Sequence, residues 1–251
     1  MPKLTLLGTS YSVPDENHEN THMVLAGEKH QILIDCVSNP IVRLKIAGLK
    51  HEDLTHILMT HFHPDHVSGV PLLLMGMGLL EREKPLELFG LDHVVDVMEH
   101  MLQDYRWDTW HHFQVTFHKL PEEELYPMLE TDEFRIYTSP VKHFVPTVGV
   151  RIEFVKSGKV VAYSCDTAPT PSVVRLAKDA DVLIHEAAGV SEGHSSPEQA
   201  GEQATKANAK ELILIHYPTG DFLDENLGAR AETTFNGPVT VAEDFLTLDY
   251  D

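Results

Sequence analysis

Apolar residues in this chain come in short runs, most of them four to six residues long and set apart by polar turns. Leu4 to Leu7, Met23 to Ala26 and Gln31 to Asp35 have the length and composition of buried strands. Pro40 to Ala47 spaces Ile41 and Leu44 for one broad helical face and stops at Gly48. His56-Ile57-Leu58-Met59-Thr60 is a further buried strand, and Ser68-Gly69-Val70-Pro71 a bend leading into a helix. The apolar segment Val70 to Leu80, with Met75 and Met77, predicts a buried helix; a dimer face is the alternative. Leu86 to Phe89 is a strand, after which Asp92 is expected to cap an amphipathic helix over Val94 to Tyr105.

The middle of the chain is strand-rich: Val115 to Leu120, Phe134 to Thr138, Gly149 to Val155 and Lys159 to Ser164. Pro171 to Lys178 predicts a helix and Asp181 to His185 a strand. Ser196-Pro197-Glu198-Gln199 carries three agreeing start signals: a capping serine, proline at the first helical position, and a glutamine completing a capping box. That helix should run to about Ala207, with Asn208 near its end. Glu211 to Ile215 then forms a buried strand, and Val239 to Glu243 with Phe245 to Leu248 close the sheet. Strands first, then strands alternating with helices, in two halves, fit an α/β chain of two face-packed sheets with helices outside. No linker, low-complexity tract or repeat interrupts residues 1–251, so one domain is expected.

Composition narrows the function. There are 19 lysines and arginines against 39 acidic residues, a net charge of −20. That balance offers no basic field for a nucleic-acid duplex, so any polyanion must be drawn by a local positive centre. No apolar stretch approaches the roughly 20 residues needed to span a bilayer. The N-terminus lacks a secretory leader's core, and two cysteines make no disulfide framework; both point to a reducing cytoplasm. Histidine is overabundant, with 17 copies. His111 and His112, beside Trp107 and Trp110, read as surface and packing residues, with a rim or lid as the alternative.

Six consecutive residues change the picture most. His61-Phe62-His63-Pro64-Asp65-His66 places four potential metal ligands directly after a buried strand. In extended backbone, residues two apart share a side, so His61 and His63 can grip one cation. Asp65 and His66, in the following turn, face another way and can serve a second. HxHxDH in a strand–loop–helix setting is a strong dinuclear signal. Other ligands should sit in loops just after apolar runs, and three residues qualify: His143, Asp166 and His216.

With these motifs in view, the whole chain resembles the metallo-β-lactamase superfamily, and within it the ribonuclease Z-like branch. Leu7-Gly8-Thr9-Ser10-Tyr11-Ser12-Val13-Pro14 is similar to that branch's first turn. His185-Glu186-Ala187-Ala188 resembles its HEAT-type motif, and Gly193-His194-Ser195-Ser196 its His-Ser-Thr-type motif. The resemblance implies an αββα sandwich. It further implies that His61, His63 and His143 hold one metal, that Asp65, His66 and His216 hold another, and that Asp166 bridges them. Zinc suits imidazole-rich ligands, and the same set accepts manganese or iron. A hydroxide between the two cations would attack phosphorus. Asp65 would orient or deprotonate the water. His194 would contact a phosphate oxygen or protonate the leaving group, with Glu186 holding its ring. His185 is expected to pack or hydrogen-bond instead of ligating, and Cys36 and Cys165 to be small buried side chains.

Ribonuclease Z enzymes that mature tRNA commonly carry a long arm between the third histidine and the bridging aspartate. Here that interval is 23 positions (166 − 143), filled by two strands and the turn Ser157-Gly158. The expectation is therefore a metal-dependent phosphodiesterase acting on a small or flexible phosphodiester. RNA is possible as a partner but not favoured by charge, no membrane is involved, and a homodimer is possible. Three alternatives stand beside it: a ribonuclease Z-type tRNA 3′-endonuclease, a lactone, thioester or β-lactam hydrolase, and a non-catalytic metal-binding protein.

Overall fold

A computed structural model describes residues 2–110 and 113–250 of the chain. His111 and His112 lie outside the described residues. The early strands β1 (Lys3–Gly8), β2 (His22–Ala26), β3 (Gln31–Ile34), β4 (His56–Leu58), β5 (Leu86–Leu91) and β6 (Val115–Leu120) lie side by side in chain order. A second sheet takes β7 (Tyr126–Glu130), β8 (Phe134–Val141), β9 (Thr147–Phe154), β10 (Val160–Tyr163), β11 (Val182–Glu186), β12 (Glu211–Ile215) and β13 (Val239–Val241). The last strand, β14 (Thr247–Asp249), crosses back to pair with β1. Val239 to Glu243 and Phe245 to Leu248 thus close different sheets, not one.

The two sheets repeat a single plan. In the first, β14-β1-β2-β3 pair antiparallel and β3-β4-β5-β6 parallel. In the second, β7-β8-β9-β10 pair antiparallel and β10-β11-β12-β13 parallel. β3 and β10 therefore occupy equivalent places, where the pairing changes direction. Asp35 follows the one and Asp166 the other.

Helices cover the outer faces, as two half-buried sheets require. They are α1 (Pro40–Ile46), α2 (Pro64–Val67), α3 (Val70–Leu79), α4 (Asp92–Asp104), α5 (Pro171–Leu176), α6 (Pro197–Ala207) and α7 (Leu227–Glu232). Between the sheets, residues such as Leu6, Ile34 and Leu88 share one buried core with Val150, Ile152 and Ile213. A second core under α5, α6 and α7 is rich in alanine (Ala162, Ala177, Ala200, Ala204, Ala231), which lets these helices sit close to the sheet. Where α6 meets α7 the approach is tighter still. A Cβ on Gly201 would lie 2.5 Å from the Ala231 carbonyl oxygen.

Most elements lie where the pattern puts them, within a residue or two. Ser196 accepts from the Gln199 amide and the Gln199 side chain answers, a complete capping box, and Asn208 ends α6 in a left-handed conformation. Four details differ. Asp92 is the first helical residue of α4 and makes no capping bond. β4 stops at Leu58, two residues short of Thr60, and Asp65 and His66 lie on the single-turn helix α2 instead of a free turn. β7 has no clean sequence signal because Pro127 interrupts it; at a sheet edge a proline leaves no ladder bond unmade. α7 buries only Leu227 and Ala231 within the helix, too little for periodicity to show. Among the described residues, no helix is long and apolar enough to cross a membrane.

Candidate metal centre

The carboxyl ends of β4, β8, β10 and β12 converge, and all seven residues singled out as ligands meet there. This is where ligands settle in sheets whose strands change direction. His61 Nε2 and His143 Nε2 each lie 3.1 Å from His63 Nδ1. Nitrogens bound to one tetrahedral zinc at about 2.0–2.1 Å would be about 3.3–3.4 Å apart, so this triad has the right span. Asp65, His66 and His216 form a second mutually close group. Their contacts run from His66 Nε2 and His216 Nε2 to Asp65 Oδ2, at 3.9 and 3.7 Å. Asp166 Oδ2 stands between the groups, 4.0 Å from His61 Nε2, 3.9 Å from His143 Nε2, 3.5 Å from His66 Nε2 and 3.3 Å from His216 Nε2.

Hydrogen bonds on the far side of each ring decide which nitrogen faces inward. His143 Nδ1 lies 2.8 Å from the Gly193 carbonyl, which can only accept, so Nδ1 carries the proton and Nε2 presents a lone pair. His66 Nδ1 donates likewise to Asp35 Oδ2 at 2.7 Å. Asp35 is fully buried and also accepts from the Thr60 amide (2.8 Å) and hydroxyl (2.9 Å). The same hydroxyl meets His61 Nδ1 at 3.1 Å, and Cys165 Sγ lies 3.7 Å from that nitrogen. Such outer partners fix the ring and its tautomer for a cation on the inner side.

Around Asp166 the inward atoms lack a hydrogen bond: His66 Nε2, His216 Nε2 and Asp166 Oδ1 are all buried without one. An unsatisfied buried polar atom costs about 1–3 kcal/mol, so three in one place call for something between them. Divalent cations fit that demand in charge, in donor type and in spacing.

Titration reflects the same crowding. Burial pushes His61 well below the usual imidazole range and His143 to about 4, which leaves both neutral and able to donate a lone pair. His66 goes the other way: burial opposes its charge, but the Asp166 and Asp35 carboxylates outweigh it. Asp166 is likewise held well below the carboxylate range, against burial, by His216 and His66.

The backbone bends sharply to make this meeting possible. Asp35 (φ 60°), Cys165 (φ 53°) and His216 (φ 50°) all adopt the left-handed conformation at strand ends. Glu186, the last residue of β11, is fully buried and organises the neighbouring loop. Its Oε1 accepts from the Thr167 and Ser195 amides at 3.1 and 2.9 Å and meets His194 Nδ1 at 3.1 Å, while Oε2 accepts from the Ala188 amide. His194 stacks on His216 with ring centroids 5.7 Å apart. Against burial, the bond from Glu186 holds His194 above its usual range, and burial pushes Glu186 up in turn. His185 turns away: its Nδ1 bonds the Glu186 carbonyl. Cys36 and Cys165 are free and fully buried.

An open cavity of about 450 Å³ leads to the centre, lined by Tyr11, Ser12, His63, Asp65, Phe144, Asp166, the loop 188–191, His194 and His216. Sequence reasoning overlooked Asp35 and Thr60 as ring-holders and Phe144 as a wall. A lone aspartate after an apolar strand was the available signal for Asp35; nothing local marks the other two.

Facing imidazoles and carboxylates, at the strand ends of an αββα sandwich, make this a metal-dependent hydrolase. The chain belongs to the β-lactamase superfamily, whose domain model (Beta-lactamase superfamily domain) matches residues 30–217. Among curated proteins it is similar to a ribonuclease Z from Methanothermobacter thermautotrophicus, 28% identical with 99% of this chain and 97% of the relative covered. That alignment runs over 304 positions; 304 less the chain's 251 leaves at least 53 that only the relative fills. Among solved structures it is similar to the metallo-β-lactamase fold protein YhfI from Bacillus subtilis, with TM-score 0.81, 24% identity and 99% of each chain covered. Human tRNase Z, short form, gives TM-score 0.80 and 25% identity, again over 99% of each chain.

Proposed function

We propose that this chain is a phosphodiesterase that works with two divalent cations, one held by His61, His63 and His143, the other by Asp65, His66 and His216, with Asp166 shared. The observation that carries the reading is the group of buried, unpartnered atoms on His66, His216 and Asp166, beside a triad in which the His61 and His143 nitrogens each lie 3.1 Å from that of His63. Zinc suits these donors, and manganese or iron are occupants they also accept. When bound, such cations supply a water that ionises near neutral pH and positive charge against a developing oxyanion.

The chain's own groups do the rest. Among the described residues lining the cavity, imidazole is the cationic side chain available to an anionic ester. Asp65 lies on that wall and is placed to orient the attacking water or take its proton. His194 holds a proton at neutral pH more readily than a free imidazole, because Glu186 accepts from its Nδ1. It is the group that gives a proton to the departing oxygen, and Glu186 keeps its ring in place.

A second reading, tRNA 3′-end cleavage, is supported by the name of the M. thermautotrophicus relative and by the human tRNase Z likeness. Against it stand the net charge of −20 and the interval between His143 and Asp166. There the chain makes only the hairpin of β9 and β10, with no room for an arm. The decisive test has two parts. Elemental analysis of purified protein should find two divalent ions per chain. With that metal restored, bis(p-nitrophenyl) phosphate should turn over faster than lactones, thioesters or β-lactams, and faster than precursor tRNA is cut. Faster cleavage of precursor tRNA would install the second reading, and metal without any hydrolysis would mark a binding protein.

A further inference from the structure

Phe144 combines two properties that seldom occur together: it is exposed and it is held. The residue is 58% exposed, yet its ring lies 5.0 Å from the His143 ring and 5.7 Å, edge-on, from the His194 ring. Beneath it is Gly193, where even a Cβ would meet the Phe144 ring at 2.8 Å. That glycine's carbonyl is the acceptor fixing His143. A ring seated on a backbone and two imidazoles has little freedom left to lose when a ligand covers it. It lines the cavity of the metal centre, whose other apolar contributions include Val190, 76% exposed, and Tyr11.

Charge sharpens the assignment. Among the described residues lining this cavity imidazole is the only cationic side chain; Lys142 and Arg175 line an adjoining cavity that shares His143 and Phe144. An aromatic face favours a planar, uncharged group, by stacking worth several-fold in binding. Building on the phosphodiesterase reading, we infer that Phe144 is the specificity-determining platform of this site. It stacks the planar substituent, aryl or nucleobase, on the ester oxygen that does not leave, so the preferred substrates are aromatic phosphodiesters.

The test uses three diesters with the same p-nitrophenolate leaving group and different spectator groups: methyl, phenyl and thymidine-5′. All are assayed on the metal-loaded protein, on Phe144→Ala and on Phe144→Tyr, with metal content measured for each. The parent should prefer the phenyl or thymidine ester over the methyl ester in kcat/KM, and which of the two leads separates aryl from nucleobase substrates. Phe144→Ala should cut that preference by about three- to tenfold, through KM. Phe144→Tyr should keep it, and all three proteins should hold equal metal. A preference that survives Phe144→Ala, or an equal loss on all three esters, overturns the inference and leaves the phosphodiesterase reading standing. No turnover of any diester by the parent overturns both.

Discussion

Histidines gather at two places in the molecule, with opposite outcomes. At the carboxyl ends of the strands lies the centre just described. On the first sheet, His30, His56 and His118 form a second group with Phe89, the His30 and His56 rings lying 6.1 Å apart and His118 stacked on Phe89. Each ring of that second group has one nitrogen paired to a neighbour. His30 Nδ1 bonds Glu133 at 2.7 Å, His118 Nε2 bonds Glu87 at 2.5 Å, and His56 Nδ1 bonds the Thr55 hydroxyl at 2.7 Å. In the first group His66 Nδ1 and His143 Nδ1 are bonded outward, while the inward nitrogens meet only one another or the Asp65 and Asp166 carboxylates. Density of imidazole is therefore a poor guide to metal. What separates the two clusters is whether the ring atoms that converge are still free to donate.

Four substitutions would break or sharpen that contrast. The largest effect should come from Asp166→Ala, which removes the one carboxylate close to both groups. Metal content by elemental analysis should collapse and diester turnover fall about three orders of magnitude or more, the scale of losing a whole catalytic unit. His194→Ala should retain the parent's metal but lose turnover by about 10²- to 10⁴-fold, the usual worth of a positioned proton donor. Normal hydrolysis by that variant would strip His194 of its role. Asp35→Asn keeps the shape but weakens the grip on His66 Nδ1. Chelator competition should show metal affinity lowered about 10- to 100-fold. His118→Ala, in the paired cluster, should leave metal content alone. With the histidine 41% and Glu87 32% exposed, its ion pair contributes at most about 1 kcal/mol, readable as a small change in denaturation midpoint.

The ligand cluster was legible because its chemistry is local: His61 to His66 are contiguous, and strand-end positions single out His143, Asp166 and His216. Fold class was legible for a similar reason, since β2, β3 and β12 are continuous apolar runs, as strands covered on both faces must be. What stayed hidden depends on distance in sequence. Asp35 acquires its job only when β3 and β4 lie parallel and bring His66 beside it, 31 residues away. Phe144 becomes a wall only because the loop carrying Gly193, some fifty residues on, folds beneath it. β7 was missed because an edge position excuses Pro127, and edges cannot be read from one strand alone.

The left-handed bends at Asp35, Cys165 and His216 carry a consequence for how the molecule can be improved. Aspartate visits that conformation with little penalty, whereas cysteine and histidine each sacrifice on the order of 1 kcal/mol or more there. Glycine at position 165 would relax the backbone there, but it would delete a fully buried side chain 3.7 Å from His61 Nδ1 and unpin the pivot that aims Asp166. The bend is therefore held by the packing around it, and easing it is expected to weaken heat resistance and the hold on metal together.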